Sequence, residues 1–138
     1  MLNELKAIHA ELREAIATLE SVVSRPAPDD EALSAARLRL SRLSSRRRMM
    51  IENCISPLLI DAAPEDARRI ADLRLETAAL RVQSSQHIGR WTMRAICADW
   101  AGYQRASADM RRAMIRRIQR EAALLYPLLE AGPAQKSA

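Results

Sequence analysis

Apolar side chains recur every seven residues along this chain, and single polar residues interrupt the recurrence. Leu5, Leu12 and Leu19 fall on one row, and Leu2, His9, Ile16 and Val23 fall on a second. Residues seven apart share a face of an α-helix, so two adjacent rows make a stripe that must be covered. The stripe returns as Ala36, Leu43 and Met50 beside Leu33, Leu40, Arg47 and Cys54. It returns again as Ile70, Thr77, Ser84 and Trp91 beside Leu73, Leu80 and His87. The last copy is Tyr103, Met110, Arg117 and Leu124 beside Ser107, Met114, Glu121 and Leu128. Four such helices joined by short turns cover their stripes by packing antiparallel. The fold class expected is all-α, an up-down-up-down four-helix bundle.

Breakers set the boundaries. The segment "SRPAPDD" (Ser24 to Asp30) is a turn in which Asp29 or Asp30 can cap the next helix. "DAAPED" (Asp61 to Asp66) puts Pro64 at a helix start with acidic residues behind it. "DWAGY" (Asp99 to Tyr103) holds Gly102, read as a terminator, with Asp99 and Ser107 both able to cap the last helix. The predicted helices are 2–24, 30–60, 64–98 and 104–130. Residues 1–131 then form one bundle domain, and 132–138, "GPAQKSA", a disordered C-terminal tail.

Composition agrees with helices. Ala, Leu and Arg dominate, there is no Phe, and Gly occurs only 3 times. The net charge of +5 permits contact with an anionic partner, but acidic residues are mixed through the excess. A solvated, mildly basic surface is the reading this favours. No apolar run is long enough to cross a membrane, and the charged N-terminus is not a secretory leader. Cys54 and Cys97 have no metal-type spacing and read as buried free thiols. The protein is expected to be cytoplasmic.

The interruptions are His9, Arg47, His87, Arg117 and Glu121. By distance from the connecting turns, His9 should meet Arg47 and His87 should meet Arg117. Burying unpaired charge costs several kcal/mol, so these groups should partner one another in a polar layer. Arg117 and Glu121 are four apart on one helix and can pair. Glu52 lies just off the second seam, within reach of Arg47 or a histidine. The competing reading lets the arginines extend to water and the histidines fill core space.

Two helical stretches end alike, "RRRMMIENCISPLL" (Arg46 to Leu59) and "RRIQREAALLYPLL" (Arg116 to Leu129). With "IHAEL" around His9 and "QHIGRW" around His87, the chain resembles the hemerythrin-like, HHE cation-binding domains from Ile8 to Leu129. That resemblance implies an up-down four-helix bundle with a non-haem di-iron site. It matches His9 to the first ligand, His87 to the third-helix ligand and Glu121 to the final carboxylate. The departures are Arg47 and Ile51, where the second helix should offer His and Glu, and Arg117, where the fourth should offer His. Arginine is a permanent cation with no lone pair to donate. The expectation is that the guanidinium groups of Arg47 and Arg117 replace the metal, neutralising Glu121 and Glu52.

The function expected is that of a non-catalytic binding or regulatory protein with no cofactor. One alternative is an oxygen or redox sensor that keeps non-haem iron on His9, Glu52, His87 and Glu121. Another is a histidine phosphotransfer module using His87. The partner expected is an unidentified protein, or a small anion received by Arg47 and Arg117. Trp100 and Tyr103 are expected to cover the bundle end or to make a homodimer contact. Nucleic-acid binding is disfavoured, because the arginine clusters lack interleaved aromatics.

Overall fold

The computed structural model describes residues 1–136, with side chains through Ala131. Five helices account for the fold, and no strand occurs among the described residues. They are α1 (Leu2–Val23), α2 (Asp30–Ile60), α3 (Pro64–Arg90), α4 (Met93–Ala98) and α5 (Trp100–Lys136).

The first two turns follow the predicted chemistry. The Asp29 carboxylate accepts from the Ala32 amide at 3.1 Å and starts α2. Pro64 occupies the first turn of α3, with Glu65 and Asp66 complementing the helix dipole. Pro57 and Pro127 both lie inside helices rather than ending them. A proline lacks the amide that would bond four residues back, so each removes one helical bond. The matching Pro-Leu-Leu segments therefore do not end alike, because α2 stops at Ile60 and α5 runs to Lys136. Helix thus extends beyond residue 131, where a disordered tail was expected to begin. The rest of that segment, 137–138, lies outside the described residues.

The third connection differs from expectation. The helix predicted over 64–98 breaks at Trp91 and Thr92. Trp91 turns into the core, and the Thr92 hydroxyl accepts from the Ala95 amide at 3.2 Å, capping the short α4. Asp99 then caps α5 by accepting from the Gly102 amide at 3.0 Å. Gly102 is therefore a first-turn residue, not a terminator. Glycine suits the place because a Cβ there would collide with the Asp99 carboxylate.

Burial is uneven. Leu5, Ile8, Leu12, Ile16 and Leu19 of α1 are buried, together with Leu33, Leu40, Leu43, Ile51 and Ile55 of α2. Ile118 and Leu125 of α5 complete the core centre. In α3 only Ile70 and Leu73 are buried, and Leu75, Val82 and Ile88 face outward. That helix packs mainly on α5, while α1 packs on both α2 and α5. Three of the four Trp and Tyr residues gather at the end near the α1–α2 turn. Tyr103 lies between Trp100, Trp91 and His87 at centroid distances of 6.0, 5.6 and 5.9 Å. The Trp100 indole donates to the Arg25 carbonyl at 3.0 Å, tying this cluster to the turn. Cys54 is buried as expected, but Cys97 is exposed on α4, its thiol 3.4 Å from Asp30 Oδ1.

The Asp99 cap yields a non-additive expectation. In an ordinary helical position Gly→Ala stabilises by about 1 kcal/mol. Here Gly102→Ala should show little of that gain, because the methyl displaces the capping carboxylate. In an Asp99→Ala background, itself destabilised by ~1 kcal/mol, the full gain should reappear. Urea unfolding of the four proteins measures the coupling.

Candidate functional site

Glu121 is the only carboxylate fully buried among the described residues, with a relative exposure of 0%. It sits on the core face of α5, three residues after Ile118 and four before Leu125. An isolated carboxylate in such surroundings would be untenable. Two cationic or donor side chains meet it. The Nε2 of His9, from α1, is 2.9 Å from Oε1. A guanidinium nitrogen of Arg47, from α2, donates to Oε2. Arg47 is 6% exposed and His9 2%. On the far side of the imidazole, Nδ1 lies 2.6 Å from the Tyr126 hydroxyl. Tyr126 follows Glu121 by five residues, so one helix supplies both ends of this chain of hydrogen bonds. The order Tyr126–His9–Glu121–Arg47 crosses three helices.

The predicted polar layer is thus realised in part. His9, Arg47 and Glu121 come together, but Arg117 and His87 do not join them. Arg117 donates instead to Glu76 of α3 at 2.6 Å, where Arg120 binds the same oxygen. The reason is the break at Trp91 and Thr92. The chain turns back over residues 91–99 rather than at Gly102, which slides α5 along α3 and brings Glu76 to the level of Arg117. His87 lies instead against Tyr103. The expectation that Arg117 neutralises Glu121 is therefore corrected: Arg47 does so.

The metal set suggested by the resemblance is not assembled either. Glu52 points outward from α2, its side chain 55% exposed, and is bound through both oxygens by Arg74 at 3.2 and 2.9 Å. Only His9 and Glu121 of that set touch. No group of three or more His, Cys, Asp or Glu residues able to hold a metal occurs among the described residues. Iron sites of the bundle type need several imidazoles and carboxylates facing one another, so the residues present do not fit a di-iron centre.

Beside the Arg47–Glu121 pair, a cleft opens between α2 and α3. Its inner part is a cavity of about 30 Å³, walled by Leu12, Ile16, Leu80 and Ile118 and by Arg47, Thr77 and Arg117. It continues into a larger space of about 210 Å³ towards Leu40, Tyr103 and Met110. Ser44, Arg48, Arg81, Ser84 and Met114 line both. Two polar atoms in the wall are buried without a hydrogen-bond partner, the Thr77 hydroxyl and Arg117 Nε. Such atoms are infrequent in folded proteins.

Sequence patterning found Arg47, Thr77, Ser84 and Arg117 as seam positions but did not foresee this gap. Arg48 and Arg81 fall off the seams; Arg48 stood out only as part of the Arg46–Arg48 cluster, and Arg81 not at all. Glu76 and Tyr126 were also missed. Glu76 adjoins the seam position Thr77, and Tyr126 lies two residues from both Leu124 and Leu128, so periodicity alone places neither on the seam.

Two groups make the stability pH-dependent in separate windows. Burial, aided by the charge of Arg37, lowers the His87 pKa below its ordinary value. The unfolded chain therefore takes up this proton first, and stability falls as pH drops below about 6.5 towards the folded value. His87→Gln should remove that loss. Burial tends to raise Glu76, but hydrogen bonds and charge from Arg117 and Arg120 outweigh it and leave the pKa lowered. Its contribution is complete above the ordinary carboxylate range and disappears as pH falls through the lower folded value. Glu76→Gln should alter only this more acidic limb, followed by thermal melts across pH.

Arg47→Leu strands the Glu121 carboxylate beside one imidazole and should destabilise the protein by roughly 3–5 kcal/mol. Arg117→Leu should cost clearly less, because its partner Glu76 is partly solvated. The double variant Arg47→Leu/Glu121→Leu should recover much of the loss, as read from urea titrations.

No protein-family model matches the chain, and no curated protein or solved structure matches it.

Proposed function

We propose that the chain is a non-catalytic binding or regulatory protein on a hemerythrin-like, up-down-up-down four-helix scaffold, in which an ion-paired layer stands where the metal would be. One observation carries this reading: His9 and Arg47 converge on the buried Glu121. His9 and Glu121 are the first and last ligands of the pattern the sequence resembles. Arg47 occupies the place of the second-helix histidine and binds the same carboxylate. A guanidinium supplies the positive charge that a metal would bring, but it has no lone pair for coordination and no redox chemistry.

The helix directions agree with this scaffold. Glu11 and Glu14 of α1 face Arg46 and Arg39 of α2, in reverse order along the chain. Glu76 faces Arg117 while His87 faces Tyr103, the same reversal between α3 and α5. These reversals support an alternating order of the four long helices, with the short α4 as part of the last connection. No helix is long and apolar enough to cross a membrane among the described residues.

Metal analysis tests the reading. Protein isolated from iron-replete cells should contain no stoichiometric iron, and a chelator should leave its melting temperature unchanged. An iron pair bridged beside Glu121, with near-ultraviolet absorption, would overturn it.

A further inference from the structure

We infer that the cleft between α2 and α3 is a ligand site for a small organic acid, a carboxylate carried on an apolar body. This deepens the binding reading proposed above by naming the ligand class.

The charge around the cleft is one-sided. Arginines from α2, α3 and α5 line its two parts, and no acidic side chain does. The nearby carboxylates are turned away to other partners: Glu121 to Arg47 and His9, Glu76 to Arg117 and Arg120, and Glu52 to Arg74. Arg81 makes no ion pair among the described residues, yet it shares the cleft wall with Arg48. Arg48 carries the effect of this crowding. Burial first, and then the charges of Arg81 and Arg47, lower its pKa. Cations gathered without counter-charge in a partly enclosed space repel one another and cost stability. An anion relieves the repulsion, and arginine's planar fork matches a carboxylate through two parallel hydrogen bonds.

The unsatisfied atoms point to the same place. Arg117 Nε and the Thr77 hydroxyl belong to the wall of the inner cavity and lack partners. Arg47 lines that wall too, with its side chain 7% exposed, and among the described residues its one hydrogen-bond partner is Glu121. The inner cavity is walled mainly by Leu12, Ile16, Leu80 and Ile118. Leu19, Leu40, Met110 and Met114 continue an apolar strip through the larger space, among Ser41, Ser85 and His87. Apolar walls with a few convergent polar groups are the usual make-up of a small-molecule site. A bare inorganic anion would leave those walls wet. A neutral alkane would leave the arginines unpaired.

Calorimetric titration with octanoate tests the assignment, with octanol, octylamine, acetate and inorganic phosphate as comparisons. Octanoate should bind and raise the melting temperature, while octylamine should not bind. Octanol, acetate and phosphate should each bind much more weakly. Arg81→Gln should weaken octanoate by at least about tenfold, the loss expected for one charge-assisted hydrogen bond. Because Arg81 is exposed and unpaired, this variant should melt no lower than the parent. Ser84→Trp, which fills the junction of the two spaces, should abolish binding. The assignment falls if octanoate does not bind, if octanol, acetate or phosphate binds as tightly, or if Arg81→Gln leaves the affinity unchanged. Iron content of the same preparations separates the two readings: iron beside Glu121 would defeat the metal-free layer, whereas failure of octanoate would defeat only the ligand assignment.

Discussion

A carboxylate with no access to water governs the middle of this protein. Glu121 must be neutralised where it stands, and the means of doing so joins three helices at one level. Arg47 brings charge from α2, His9 brings a ring nitrogen from α1, and Tyr126 orients the other side of that ring. Leucine packing tolerates small shifts of helix against helix, whereas hydrogen bonds lose strength within a few tenths of an ångström. The layer therefore sets register where the surrounding stripes of Leu5, Leu12, Leu40 and Leu43 would accept several alternatives. In some proteins, coiled coils with a single buried Asn among them, buried polar residues choose one packing among many in this way at some expense of stability.

The cleft arises from what α3 lacks. From Arg74 to Arg90 this helix buries no residue, and its seam positions there are Thr77, Leu80, Ser84 and His87. The facing stretch of α2 offers Ser44 and Arg48. Short hydroxyl side chains and long cations cannot interdigitate as leucines do, so α3 leans on α5 and leaves the α2 side open. Support from Glu76, which holds both Arg117 and Arg120, keeps α3 attached on the α5 side. An ion-paired centre and a basic opening are thus neighbours, with Arg47 belonging to both. One face of that side chain is committed to Glu121, and the rest of it borders the cavity.

Legibility in the sequence varied with the kind of interaction. The helices, the Asp29 cap and the start of α3 at Pro64 could be read from local chemistry, since each depends on residues a turn or two apart. Gly102 misled because glycine more often ends a helix than begins one. The Thr92 cap and the inward turn of Trp91 moved the break earlier in the chain, while Asp99, one of the two caps expected, starts α5. That displacement altered every pairing between α3 and α5: it separated His87 from Arg117 and gave Arg117 to Glu76. Cys97 misled for the same reason, because an unforeseen short helix carries it to the surface. The partnership of Glu121 with Arg47 was out of reach of any i to i+4 rule, which favoured Arg117.

The sequence by itself determined that the chain is helical, where α1 and α2 begin, and which rows of α1 and α2 had to be buried. Most of the α3 row, by contrast, stayed half-exposed, and α5 buried Ile118 and Leu125 off its expected rows. Periodicity and capping are properties of a few consecutive residues, so no partner is needed to express them. Only the tertiary structure decided which cation neutralises Glu121, and that Glu52 and His87 lie apart from it. It alone also left α2 and α3 separated around a basic space. These outcomes depend on the axial offset between helices distant in sequence. That offset results from the connection at residues 91–99 and the joint packing of all the helices, not from any single stretch of chain.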